Sequence, residues 1–140
     1  MPKKTTTKKT VTPAWSDPLG IPGVCFSLAD QISGKVRQKQ YAKQRMTRGW
    51  DDTETWSLDT TIADFILPRL KRFREVQHGY PHGETAESWN VKLDAMIRAF
   101  TLVSTTFEVD DSTPKQIAKN FREQKKGLKI FSEYLGCLWW

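Results

Sequence analysis

The stretch that decides the fold is Glu87–Phe107, "ESWNVKLDAMIRAFTLVSTTF". Its apolar side chains recur at intervals of three and four residues, which is the period of a helix with one buried face. The side chains on this stripe are Trp89, Leu93, Met96, Ile97, Phe100, Val103 and Phe107. The pattern predicts a long amphipathic helix that lies at the centre of a hydrophobic core.

Two further stripes of the same period flank this helix. The upstream stripe consists of Leu58, Ile62, Phe65, Ile66, Leu70 and Phe73, and the downstream stripe consists of Ile117, Phe121, Leu128, Phe131 and Leu135. We therefore predict an all-α fold, a small helical bundle of three to four helices. The helices are predicted near residues 27–46, 53–76, 84–107 and 113–135.

Proline and glycine modify these helices at specific places. Pro68 is expected to bend or split the second helix, because it has no N–H to donate. Gly127 indicates a close helix crossing, and Ser112 or Thr113 is the expected N-cap of the fourth helix, with Pro114 in its first turn. Gly136 is a candidate C-cap.

The chain length of 140 residues favours one domain. We predict a disordered, flexible basic tail over 1–23, where four prolines interrupt regular structure. A single helical domain is predicted over 24–140, with a basic first helix (27–46) and a bundle core (51–140).

No signal sequence or run of about 18 apolar residues is present, so we expect a soluble intracellular protein without a membrane partner. Cys25 and Cys137 have no spacing typical of a zinc or redox site and are expected to be at least half-buried.

Four carboxylates, Asp51, Asp52, Glu54 and Asp59, surround two tryptophans. They either form a metal or catalytic cluster or stabilise the start of a helix. Asp51 followed three residues later by Glu54 is typical of a capping box, and no His or Cys accompanies them, so we predict a structural role. His78 and His82 lie in the stretch "QHGYPHGE", where Pro81 and two glycines exclude the helical geometry of a histidine metal clamp.

The remaining sequence shows no nucleophile–base pair, metal constellation or phosphate loop. We therefore predict no catalytic residues, no metal and no cofactor, and a protein that is not an enzyme.

Positive charge is concentrated in the first third of the chain. Residues 1–50 contain ten Lys and Arg against two Asp, whereas residues 51–140 contain twelve Lys and Arg against fourteen acids.

The candidate nucleic-acid-binding residues are Lys35, Arg37, Lys39, Lys43, Arg45, Arg48, Arg69 and Arg72. Six phosphate contacts by the members between residues 35 and 48 would give a slope of log affinity against log salt of about −5. Residues 51–140, with their net negative charge, are expected to bind nucleic acid weakly. The basic turn at 69–74 has the alternative interpretation of a solvated helix end.

Two tryptophans, Trp139 and Trp140, end the chain. They are expected either to fold back over the bundle and close it or to form an exposed partner-binding patch.

Several motifs together resemble a family of small proteins encoded by tailed bacteriophages. They are "RGWDDTETWSLDTTIADFILPRLKRF", "HGYP", "ESWNVKLDAMIRAF" and "GLKIFSEYLGCLW", and they cover about residues 45 to 140. The resemblance implies a viral source and the cytoplasm of an infected bacterial host. It implies no chemistry.

Two functions follow as hypotheses. In the first, the helical bundle binds a host or phage protein through its tryptophan-rich ends, and charge serves steering and solubility. In the second, the basic arm and first helix bind the phosphate backbone of nucleic acid, without a motif that reads bases. A virion component is a further alternative, and the sequence does not indicate the oligomeric state.

Overall fold

The computed structural model describes residues 21–104 and 113–139. In these ranges the protein is all-α, as predicted, and contains no strand. The four helices are α1 (Lys35–Arg48), α2 (Leu58–Val76), α3 (Ala86–Val103) and α4 (Pro114–Tyr134). Short 3₁₀ turns lie at Ala29–Gln31, Asp52–Thr55 and Leu135–Cys137.

The chain divides into two compact units, Met1–Trp56 and Ser57–Trp140. The prediction of one domain over 24–140 stays a prediction. Of the predicted basic tail, residues 1–20 lie outside the described residues, as do Phe107 and Trp140. No helix in the described ranges is long and apolar enough to cross a membrane.

The core of the second unit is built around α3, as its stripe predicts. Trp89, Leu93, Met96 and Phe100 are buried. The buried residues of α2 that join them are Ala63, Leu67 and Leu70. The predicted end of α3 at residue 107 is wrong, because the helix ends at Val103 and the next residue adopts an extended backbone.

α4 crosses α3 at Gly127, and the close approach predicted there is confirmed. A Cβ atom at this glycine would lie 2.2 Å from the carbonyl oxygen of Ala95 and 2.5 Å from the Cβ of Ala99. Nearby, the rings of Phe100 and Phe131 meet edge to face with centroids 4.9 Å apart. Glycine is therefore required for the two helices to pack at this distance.

α2 runs through Pro68 without a break, which excludes a split there, and the bend expected at Pro68 stays a prediction. Its predicted apolar stripe is confirmed in part, because Leu70 is buried and Ile66 and Phe73 pack against the core. The other three members, Leu58, Ile62 and Phe65, are about half exposed. Ala63 and Leu67, which the predicted stripe does not include, join Leu70 in the core.

The start of α4 is predicted correctly, because the Thr113 side chain accepts a hydrogen bond from the backbone N–H of Gln116 and Pro114 occupies the first turn. The end is not. Gly136 lies inside the final 3₁₀ turn, and Leu135 caps the helix. The predicted stripe of α4 is only partly buried, because Leu128 and Phe131 pack against the core but three members are exposed: Ile117, Phe121 and Leu135.

The first unit contains α1, which begins at Lys35 and not at residue 27. Gly34 precedes the helix with φ 116°, a backbone conformation that interrupts any helix continuing from Ser27. The Ser27 hydroxyl donates a hydrogen bond to Asp51 at 2.5 Å. Ser27, at the predicted start of this helix, therefore belongs to a buried polar cluster. Similarly, the second helix starts at Leu58 after a separate 3₁₀ turn, and not at residue 53.

Candidate functional site

The acidic stretch after α1 forms a structural cluster in the first unit. Asp51 accepts from the backbone N–H of Thr53, and Glu54 accepts from the backbone N–H of Asp51 at 3.1 Å, so the predicted capping box is confirmed. Glu54 also accepts from the N–H of Phe26 at 2.7 Å and from the thiol of half-buried Cys25 at 3.6 Å. These carboxylates therefore tie residues 25–27 to the turn.

Arg45 forms an ion pair with Asp51 inside this cluster. Both side chains are almost fully buried, at 4% and 0% exposure. Burial tends to raise the pKa of Asp51, but hydrogen bonds from Ser27, Thr53 and Arg45 outweigh it and hold that pKa below its ordinary value. An arginine in this position cannot present its charge to a phosphate. We therefore remove Arg45 from the candidate nucleic-acid-binding residues.

Arg48 is also engaged within the first unit. Its guanidinium donates to Asp52 at 2.5 Å and lies over the ring of Trp50, 3.6 Å from the ring centroid. Gln44 donates to the same carboxylate at 2.7 Å, and the two hydrogen bonds lower the pKa of Asp52. The carboxylate of Asp52 already neutralises part of the Arg48 charge, which weakens the attraction of Arg48 for a phosphate.

Three of the candidate cations form one row. Lys35, Lys39 and Lys43 are exposed at successive intervals of four residues, which places them on the same face of α1. None of them forms an ion pair with a carboxylate of the described residues. Arg37 lies two residues from Lys35 and from Lys39, and therefore on another face of the helix.

The two candidate arginines of α2 have partners in the second unit. The Arg69 guanidinium lies 3.7 Å from the centroid of the Phe65 ring, and Arg72 forms an ion pair with Glu75 at 3.0 Å. Both arginines are exposed. These contacts agree with the interpretation of this turn as a solvated helix face.

The second unit also contains an aromatic cleft with a volume of about 310 Å³. It lies where the loop between α2 and α3 meets the end of the chain. Its lining residues are His78, Gly79, Tyr80, Pro81, His82, Trp89, Cys137 and Trp139. We call this feature the aromatic cleft. It brings together residues of the histidine-containing loop and one of the two predicted partner-binding tryptophans.

The two tryptophans that line the aromatic cleft differ in exposure. Trp89 is 1% exposed and is fixed in the core, with its ring centroid 5.6 Å from that of Tyr134. Trp139 is 77% exposed although its neighbour Leu138 packs against the core. Leu138 thus holds this segment on the bundle, while the Trp139 ring stays accessible at the cleft.

Glu84 connects the elements around the aromatic cleft. Its carboxylate accepts hydrogen bonds from Lys92 at 2.8 Å, from Ser88 at 2.6 Å and from the Tyr134 hydroxyl at 2.6 Å. The hydrogen bond from Lys92, followed by those from Ser88 and Tyr134, lowers the pKa of Glu84 to about 2 from an ordinary value of 4.5. The carboxylate joins the loop to α3 and to the end of α4, and so helps to hold the walls of the cleft together.

Acidification should therefore weaken the second unit through Glu84. Because its folded-state pKa lies below 4.5, the stability it contributes is complete above that pH and is lost as the pH falls toward about 2. Glu84→Gln should consequently destabilise the protein at neutral pH, and the difference from wild type should shrink on acidification. Urea unfolding of both proteins between about pH 7 and about pH 3 measures this. A difference that stays constant with pH would contradict the assigned role of the carboxylate.

The aromatic cleft offers contacts for binding. Aromatic and apolar walls suit an apolar or aromatic side chain, while the two imidazoles and the tyrosine hydroxyl can form hydrogen bonds at its edge. Within 21–104 and 113–139, no three His, Cys, Asp or Glu side chains are grouped as metal ligands. The sequence did not predict the aromatic cleft, because the loop at residues 78–82 and Trp139 are distant in sequence and no motif connects them. No family model, no curated protein and no solved structure matches the chain.

Proposed function

We propose that this chain is a non-enzymatic binding protein that holds a protein partner in the aromatic cleft. The observation that carries the proposal is the exposed Trp139 ring beside a preformed cleft with buried Trp89 among its walls. Tryptophan and tyrosine are enriched among the residues that dominate protein interfaces. The resemblance to tailed-bacteriophage proteins makes the partner a host or phage protein in this proposal.

The size of the cleft supports a side-chain anchor over a cofactor. Its volume of about 310 Å³ is at the lower end of the roughly 300–1,000 Å³ typical of small-molecule sites. One or two large apolar side chains of a partner would fit in it, and flanking partner residues would cover the exposed Trp139 ring. Trp89 is already held in place by the core, so less conformational entropy is lost when a partner binds against it.

A comparison of two tryptophans tests the proposal. Trp56 is 58% exposed and does not line the aromatic cleft, so Trp56→Ala is a matched control for Trp139→Ala. Wild-type protein and the Trp56→Ala variant should retain the same stoichiometric protein from a nuclease-treated bacterial lysate, and Trp139→Ala should lose it. Equal retention by both variants would contradict a role for the cleft.

The lysine row of α1 favours a second candidate function, the binding of nucleic acid. Lys35, Lys39 and Lys43 project from one face and have no described carboxylate partner. Such a row can approach successive phosphates without breaking an existing ion pair. Arg45 and Arg48 are not counted here, because each is already engaged within the first unit.

The lysine row should contribute about three phosphate contacts. Replacing all three lysines with glutamine in the full chain should make the slope of log affinity against log salt less negative by about 2.7 on duplex DNA, at about 0.9 per contact. Lys71→Gln is the matched control, because Lys71 is an exposed lysine on α2 outside this row. A slope unchanged by the triple replacement would eliminate the lysine row as a phosphate-binding surface.

A further inference from the structure

The solvent face of α4 carries a row of cations. The net negative charge of residues 51–140 does not reveal this row, because acids elsewhere in the range outnumber the cations. Residues 51–113 contain six Lys and Arg against twelve acids, whereas residues 114–140 contain six against two. The acidic and basic side chains are thus segregated along the chain. A net charge of −2 for residues 51–140 does not describe the surface of α4.

The spacing of these cations places them on one face. The intervals alternate between four and three residues, and every member is exposed. The members, which we call the α4 stripe, are Lys115, Lys119, Arg122, Lys126 and Lys129. Lys119 lies 3.8 Å from Glu123, a carboxylate that is held more closely by Arg98 at 2.9 Å. No other member forms an ion pair within the described residues.

The packing of the opposite face of α4 keeps the α4 stripe exposed to solvent. Gly127 packs directly on α3, and Leu128 and Phe131 contact the core. The helix therefore cannot rotate to pair its cations with the acids of other elements without losing this packing. An ordered, rigid row of charges loses less entropy on binding than a flexible segment.

We propose that the α4 stripe binds the phosphate backbone of duplex nucleic acid. From Lys115 to Lys129 the stripe spans about 21 Å at about 1.5 Å per residue. That length corresponds to about six phosphates of one strand, at about 3.4 Å of duplex axis for each. The inference is independent of the aromatic cleft and adds a second nucleic-acid-binding surface, on another element than the lysine row of α1.

Two features favour a duplex over other polyanions. No aromatic side chain lies in the stripe, so the stacking platforms that single strands use are missing from it. A helix that binds a lipid surface buries its apolar face in the membrane. In α4 much of that face is packed against the core, and the exposed Ile117 and Phe121 lie about 120° or more around the helix from the centre of the stripe.

Replacement of three stripe cations tests the proposal in the full chain. Arg122→Gln, Lys126→Gln and Lys129→Gln together should make the salt slope on duplex DNA less negative by about 2.7, and should do so equally with or without the lysine row of α1. Glutamine preserves helix propensity, and circular dichroism verifies the fold. Lys71→Gln and Trp139→Ala should leave the slope unchanged, which separates this surface from the aromatic cleft.

A gain-of-charge variant tests the same surface in the other direction. Glu133 is exposed four residues after Lys129, so Glu133→Lys should extend the stripe and make the slope more negative by about 0.9. Glu87→Lys, with the same change of charge on α3, is its control. An unchanged slope in the triple variant, an equal effect of Lys71→Gln, tighter binding of a single strand of equal length, or stripe-dependent binding of phosphatidylserine vesicles without binding of DNA would each overturn the proposal.

Discussion

Asp51→Ala is expected to destabilise the first unit by about 3–5 kcal/mol, because it leaves the buried Arg45 guanidinium without its counter-ion. Ser27 and Thr53 lose an acceptor in the same change. Loss of a helix cap alone, the effect expected from the sequence, would cost only about 1 kcal/mol. Amide hydrogen exchange over residues 35–54 measures the free energy of opening of this unit.

Asp52→Ala is the matched control for this prediction. Its carboxylate is adjacent in sequence but is 52% exposed and paired with Arg48, so its removal should cost at most about 1 kcal/mol. The pH dependence should agree. Because the pKa of Asp51 lies below its ordinary value, the stability it provides is present at neutral pH and is lost on strong acidification. Equal costs for the two alanine variants would contradict the assigned role of the buried ion pair.

Gly127→Ala is expected to destabilise the second unit by about 3 kcal/mol, at the upper end of the range for overpacking. The added methyl group would lie 2.2 Å from a backbone oxygen of α3, and backbone atoms cannot rotate away as a side chain does. The better helix propensity of alanine recovers only about 1 kcal/mol. Urea unfolding measures the difference in stability.

Gly136→Ala provides the control for this second prediction. A Cβ atom at Gly136 meets nothing within 4 Å, and the change should alter stability by no more than about 1 kcal/mol. A Gly127→Ala variant as stable as wild type would show that α3 and α4 do not pack as closely as described.

Local patterns predicted the parts of the fold that depend on nearby residues. The stripe of α3, the capping box of Asp51 and Glu54, and the close crossing at Gly127 all follow from residue type and spacing. The stripe of α2 is predicted only in part, because Ala63 gives a weak hydrophobic signal while exposed Ile62 gives a strong one. Helix periodicity therefore identified Ile66, Leu70 and Phe73 on the packed side but missed Ala63 and Leu67.

The candidate sites depended on tertiary contacts that spacing does not contain. Arg45 belongs to an uninterrupted basic run, but only the folded chain places it against Asp51. The aromatic cleft joins residues from 78 to 139, and no motif connects them. The α4 stripe could have been found from its spacing, but a charge summed over 51–140 concealed it.

Binding through the aromatic cleft is tested most directly by affinity for a peptide selected against the full-length protein from a random library. Trp139→Ala should weaken binding of that peptide about 30-fold, equivalent to the loss of about 2 kcal/mol that marks a dominant interface residue. Trp56→Ala, which removes a similarly exposed tryptophan outside the cleft, should leave the affinity within about twofold. An affinity unaffected by Trp139→Ala, or reduced equally by both variants, would contradict the aromatic cleft as the partner-binding site.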